Sequence, residues 1–243
     1  MLKDLEVVVE DASYLAAEDQ KAFAMIRRVG FGASDSSILL GVNPFPDGKI
    51  EKLIAQKKSE TITANERAIG KLVNVRKGAD LEPLILEKFQ KRYGLADSFI
   101  KKPKAMYRIP GTPLTVNFDG VMKMGDFQVP VECKFVSTAG ERYWSIGRAL
   151  GDHLLTGNGY EKEIDEPDLQ KYITKKALQS GMPSYYYTQV QQQILALKAP
   201  VGYLTAIFDK TWELRTFIVE EDERIQEELL KRAKQYWAEV KAD

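Results

Sequence analysis

Between Thr115 and Val136 the chain reads TVNFDGVMKMGDFQVPVECKFV, in which polar and apolar positions alternate on either side of Gly125-Asp126. A period of two around a Gly-Asp pair predicts a β-hairpin with a two-residue turn. Met124 then faces Phe127, Asp119 faces Glu132 and Asn117 faces Lys134. These four polar residues share one face, while Val116, Phe118, Val131, Cys133 and Phe135 point to the core. Pro130 cannot donate to a ladder and predicts an edge position or a bulge.

Elsewhere the spacing is helical. Helices are expected over Ser13 to Arg28, from Ala33 through Leu40, from Ile50 to Lys58 and from Ala64 to Arg76. Gly78 is expected to break the pattern. Asp80 then caps a helix that runs to Tyr93 with Pro83 in its first turn and Gly94 as its stop. On that helix Glu82, Ile85, Leu86, Phe89 and Tyr93 form one stripe, so a carboxylate heads an apolar face. The stretch from Ser137 to Pro183 is long and mixed, with a helix at Asp168 to Gln179. Ser184 to Lys198 reads as a helix with Val190, Ile194 and Leu197 inward; its glutamine-rich face is expected to meet solvent. Two strands, Val201 to Phe208 and Trp212 to Val219, precede a closing amphipathic helix over Asp222 to Lys241.

Composition narrows the chemistry. At 243 residues the chain suits one large domain. One cysteine excludes an internal disulfide framework and one histidine excludes a His-built zinc site, so any metal is expected to be held by oxygen. The acidic start, MLKDLEVVVEDASYL, is unlike a signal peptide, and no run approaches the roughly 18 apolar residues of a membrane span. A cytoplasmic protein is expected. Formal net charge is +0, which gives no global nucleic-acid signature. Lys101, Lys102, Lys104 and Arg108 nevertheless cluster just before the hairpin, while Glu220 to Glu228 is acidic.

Three places carry candidate chemistry, each with a plainer reading beside it. Asp119 and Glu132, directly opposed, would stand about 5 Å apart at Cβ and repel. A divalent cation between them removes the repulsion; alternatively they are ordinary polar residues on a solvated face. Glu82 at the head of its stripe needs a cationic partner, or else merely complements the helix dipole from a first turn. The helix start at Ala33-Ser34-Asp35, behind Gly30-Phe31-Gly32 and next to Arg27 and Arg28, could receive an anion on free N–H groups. The alternative is a plain capped helix.

Taken in order, Arg28-x-Gly30-x-Gly32-Ala33-Ser34, Gly78-x-x-x-Glu82, Phe118-Asp119-Gly120, Glu132-x-Lys134 and Tyr186-Tyr187-Thr188-Gln189-Val190-Gln191 resemble the PD-(D/E)xK nuclease superfamily. Within it the chain is most similar to the lambda-exonuclease-like and YqaJ-like viral recombinases, over about residues 28 to 208. The resemblance implies a single α/β (α+β) nuclease domain with a restriction-endonuclease-like core, a central mixed β-sheet flanked by helices. An N-terminal helix (1–27), the core (28–219, with its long segment 137–183) and a C-terminal helix (220–243) make up that domain. It also implies a Mg2+-dependent 5′-to-3′ exonuclease on double-stranded DNA ends, using two ions, with Mn2+ able to substitute. Asp119 would bridge the ions, Glu132 and the backbone carbonyl of Cys133 would hold the first, and Glu82 the second. Lys134 would orient and help deprotonate the attacking water or neutralise charge, and Gln189 would stand near the catalytic centre. Arg28 and Ser34, with Asn117 and Arg142 beside them, look like the pocket for a terminal 5′ phosphate. Lambda exonuclease carries an arginine shortly after its Glu-x-Lys; a gapless reading finds Gly140 there, and Arg142 is close enough to replace it. A homotrimer, a single-strand annealing recombinase as partner, and a phage or prophage protein in the bacterial cytoplasm complete the expectation. An endonuclease on the same core, or a non-catalytic DNA-binding module, are the alternatives.

Overall fold

The computed structural model describes residues 2–11, 20–62, 73–95, 100–144 and 166–242. The segment 145–165, with Arg148 and His153, lies outside them, as do the first part of the helix expected from Ser13 and most of that expected from Ala64.

The hairpin forms as the alternation predicts. Strands β6 (Gly120–Met124) and β7 (Phe127–Val136) pair antiparallel from Met124↔Phe127 to Gly120↔Val131, and Gly125 takes the turn at φ 57°. Pro130 lies opposite Val121 without a bulge, and β7 is a central strand, not an edge. The proline is tolerated because pairing on the other side of β7 begins only one residue later, at Val131↔Tyr203. There β7 runs parallel to β8 (Val201–Phe208), which pairs antiparallel with β9 (Leu214–Glu220). With β3 (Ile100–Lys101) on β6, the main sheet has the order β3-β6-β7-β8-β9. The parallel step needs a crossover, and the helices α5 (Leu169–Gln179, capped by Asp168) and α6 (Ser184–Leu197) lie within it. A second sheet has the order β1-β4-β5-β2, from β1 (Glu6–Val9), β2 (Phe31–Gly32), β4 (Met106–Arg108) and β5 (Leu114–Val116). Alternation does not single out β1, although its three consecutive valines favour a strand.

Alternation along β7 divides the core. Val131 and Cys133 pack with Ile85, Leu86 and Phe89 of helix α4 (Val73–Arg92) on one face of the main sheet. On the opposite face Leu204, Ala206 and Phe217 pack with Val190 and Ile194 of α6 and with Ile225 and Leu229 of helix α7 (Glu223–Lys241). Before α4 come helix α1 (Gln20–Ile26), the single turn α2 (Ser36–Leu39), α3 (Ile50–Lys58) and the 3-10 turns Leu2–Asp4, Arg27–Val29 and Ala33–Asp35.

One boundary differs in a way that matters for the site. Helix α4 runs straight through Gly78, so Asp80 caps nothing and Pro83 sits in the interior. A glycine costs a helix only about 1 kcal/mol, less than the burial of Ile85, Leu86 and Phe89 returns. Glu82 is therefore well past the first turn, where the helix dipole no longer acts on it. Gly94, at φ 62°, does end the helix: Leu95 N–H donates to the Gln90 carbonyl at 3.0 Å, as in a Schellman cap.

Candidate active site

The acidic face is assembled where the chain changes sheets. After Val116, β5 has spent its pairing on β4 and β2, and Asn117 to Asp119 cross to the main sheet before β6 begins. Phe118, buried, anchors the crossing. Asp119 thus stands one step beyond the last ladder pair, and its Oδ2 accepts the Cys133 N–H at 2.8 Å. Its carboxylate is fixed beside Glu132, as the hairpin register predicts. Asn117 is not opposite Lys134, because the hairpin no longer extends that far. It is exposed, and its backbone carbonyl accepts from the Gln193 amide at 3.3 Å.

Glu132 is gripped from helix α6. Gln189 Nε2 donates to Oε1 at 2.5 Å and Gln193 Nε2 to Oε2 at 2.6 Å, while Lys134, two residues along the same strand face, also bonds Oε1. The expectation that the glutamine face meets solvent is overturned: Gln191, Gln192 and Gln193 are at most 1 % exposed. Each reaches a distant element. Gln191 donates to the Glu220 carbonyl at 2.6 Å, and Gln192 to the carbonyls of Phe31 and Thr115 at 3.0 and 2.9 Å. A glutamine run reads as surface unless something supplies partners, and here the partners are brought by the fold.

Charge in the site is unbalanced. Burial pushes the Asp119 carboxyl well above its ordinary range, Glu132 and Glu82 push it further, and Lys134 only partly opposes them. Burial by itself would lower the Lys134 ammonium, but Glu132 and Asp119 outweigh it and hold the proton on. Burial and the same three carboxylates raise the Cys133 thiol, which stays neutral. Glu82 reaches this neighbourhood from α4 and has the cationic partner its position demanded, Lys102.

Among the described residues no three acidic, cysteine or histidine side chains stand close enough to enclose an ion. Asp119 and Glu132, which line one cavity, nevertheless offer hard oxygen donors only. Such a partial set suits a cation that keeps several of its waters, as magnesium does, better than zinc. Lys102 bonds one oxygen of the Glu82 carboxylate, so an ion held there would share Glu82 with it or displace it.

A cavity of about 170 Å³ connects this centre to the glycine turn. Asp119, Glu132, Gln189 and Asn117 line it together with Gly32, Ser34 and Arg27. Arg27, not Arg28, faces it, and donates to Ser34 Oγ at 2.8 Å. Arg28 is 8 % exposed and turned inward, donating to the Ser59 carbonyl at 2.5 Å. The 3-10 turn Arg27–Val29 shifts the phase of the two side chains, which helical spacing could not foresee. Beneath the turn, Asp35 accepts the Gly32 N–H at 2.9 Å and pairs with buried Lys57 at 2.8 Å. The Gly32 N–H is therefore already satisfied. Arg142 is not in the cavity wall; it is exposed and lies against Tyr143.

A mixed sheet with helices on both faces and an acidic hairpin in its interior is the architecture of a nuclease fold. Among solved structures the chain is similar to an alkaline exonuclease, LHK-Exo, from Laribacter hongkongensis, with a TM-score of 0.54 at 14 % identity over 92 % of this chain and 92 % of that one. LHK-Exo in complex with dAMP gives 0.54 at 13 % identity, covering 89 % and 90 %. A phage related exonuclease from Haemophilus somnus 129PT gives 0.45 at 15 % identity, covering 86 % and 93 %. No curated protein matches the sequence. The family is more specific than the fold: the YqaJ-like viral recombinase domain matches residues 22–197, and the chain belongs to that family.

Proposed function

We propose that the protein is a magnesium-dependent 5′-to-3′ exonuclease that acts on linear double-stranded DNA and leaves 3′ single-stranded tails for recombination. The observation that carries this reading is the shared cavity, in which Asp119 and Glu132 face the same space as Ser34 and Arg27. A phosphate held at Ser34 and Arg27 would place the next phosphodiester along the strand toward the carboxylates. Water oxygen would bond to that phosphorus as its bond to the 3′ oxygen breaks, releasing a nucleoside 5′-monophosphate. The phosphorus stays on the following nucleotide, so each cycle renews the 5′ phosphate that the pocket takes.

Magnesium held by Asp119, Glu132 and the Cys133 carbonyl, with a second ion toward Glu82, would neutralise the scissile phosphate and acidify a water. Manganese would serve the same donors. Gln189 and Gln193 hold both oxygens of Glu132, so its carboxylate is oriented before substrate arrives. Lys134, paired with Glu132, would orient and help deprotonate the attacking water or set a positive charge toward the phosphoryl oxygens. Assembly as a homotrimer and cooperation with a single-strand annealing recombinase belong to the same proposal.

Linear duplexes labelled at either end, with and without a 5′ phosphate, test it. With magnesium, label should leave from 5′ ends as mononucleotide, and chelation should stop it. Asp119→Ala and Lys134→Ala should each abolish digestion without loss of fold. Cleavage of covalently closed circles would replace the exonuclease with an endonuclease, and wild-type-like activity in either variant would overturn the mechanism.

A further inference from the structure

A run of aromatic rings leads outward from the candidate centre, and neither the hydrolytic groups nor the phosphate pocket uses it. Lys134 Nζ stands 5.1 Å from the ring centre of Tyr186, which lies 4.3 Å from that of Tyr185. Tyr185 meets Phe45 edge-on at 5.3 Å, and Phe45 meets Tyr143 edge-on at 6.2 Å. The Arg142 guanidinium covers Tyr143 at 4.9 Å and donates to its hydroxyl at 2.9 Å. The inner end is structural, since Tyr186 continues through Trp144 into the core. The outer end is not. Phe45 and Tyr143 are 45 % and 40 % exposed and come from a loop after α2 and from the 3-10 turn Glu141–Tyr143. Single exposed apolar residues are ordinary, but two in contact, with a cation at either end of their run, are a composite surface.

Its chemistry selects one kind of occupant. An apolar ligand or helix would want a hydrophobic groove, whereas this run of rings is flanked by an ammonium group and a guanidinium. Flat π surfaces offered beside cations suit bases strung on a phosphate backbone. Lys134, which bonds Glu132 and lies over Tyr186, connects that surface to the carboxylates. We propose that Phe45, Tyr143 and Tyr185, flanked by Arg142, form a stacking platform for unpaired nucleobases of DNA separated at the site. This rests on the nuclease reading for its biological setting, and binding alone can test it. Every base presents a π face, so the platform takes any sequence.

Single-stranded oligonucleotides carrying 2-aminopurine, titrated into the protein with chelator present, read stacking directly as quenching. Wild type should quench, and an oligonucleotide with abasic sites should bind less tightly. Phe45→Ala/Tyr143→Ala should lose the quench and about tenfold or more in affinity, equivalent to about 1.4 kcal/mol. Phe45→Tyr/Tyr143→Phe should keep both. Unchanged quenching and affinity in the alanine variant, or equal binding of the abasic strand, would overturn the platform. Should the double variant fail to fold, Tyr143→Leu alone decides by the same readings, because it keeps apolar bulk and removes a ring. Digestion of linear duplex with magnesium is followed in parallel on wild type. Quenching without digestion removes the nuclease reading alone, and digestion without quenching removes the platform alone.

Discussion

Asp119 works against the fold that holds it. Its carboxyl pKa is raised by burial, Glu132 and Glu82, so the native chain binds that proton more tightly than the unfolded chain does. Above the unfolded value of about 3.9, ionised Asp119 lowers stability. With chelator present, Asp119→Asn should therefore melt higher than wild type at neutral pH, by about 2–4 °C for each kcal/mol relieved. Calorimetry across pH should show the difference vanish below about pH 4. A variant that melts lower at neutral pH would mean the carboxylate is already compensated. Gln193 makes the complementary case. Removing its amide as Gln193→Leu leaves one oxygen of a nearly buried carboxylate without its donor. Metal affinity read by calorimetric titration should fall about 10–100-fold, as for other partners that orient a ligand. The facing of Asp119 and Glu132 was legible because a period of two and a defined turn determine it. The glutamines and the choice of Arg27 over Arg28 were not, since both depend on which distant backbone lies within reach.

At the scale of elements, boundaries were lost where a local signal met stronger packing. Gly78 looked like a stop, yet α4 passes through it because the stripe beyond is buried on the main sheet. A Cβ at Gly78 would meet nothing within 4 Å. Gly78→Ala should hence stabilise the protein by roughly 0.5–1 kcal/mol, visible as a higher midpoint in urea with unchanged slope. A loss of stability would restore the break. The hairpin shows the opposite balance: turn, register and core face were all readable, and only its length was not. The strand shortens at Gly120 because a different sheet claims Leu114 to Val116, a tertiary competition that alternation alone does not encode.

Over the whole molecule, four strands of the main sheet, its crossover helices and the closing helix follow from periodicity, whereas the two-residue edge strand β3 and the second sheet, built of short strands far apart in sequence, do not. Under that second sheet lies the buried pair of Asp35 and Lys57. Burial would raise the Asp35 carboxyl, but Lys57 and Arg27 outweigh it and hold it below the usual range. Stability from this group is complete above the unfolded value near pH 4 and is lost as pH falls through the lower folded one. Asp35→Asn should flatten the acid limb of the pH–stability curve. At neutral pH it should also cost about 3–5 kcal/mol, since Lys57 is left buried without its counter-charge. An unchanged acid limb would assign acid unfolding to other carboxylates.

The bonds from Gln192 to Phe31 and Thr115 have a consequence for motion. Those two carbonyls belong to neighbouring strands of the small sheet, while the helix that carries Gln192 is seated on the large one. One amide thus rivets the two layers together behind the cavity, and neither layer can breathe without prising at the other. Deuterium should reach the innermost peptide groups of both at a common rate.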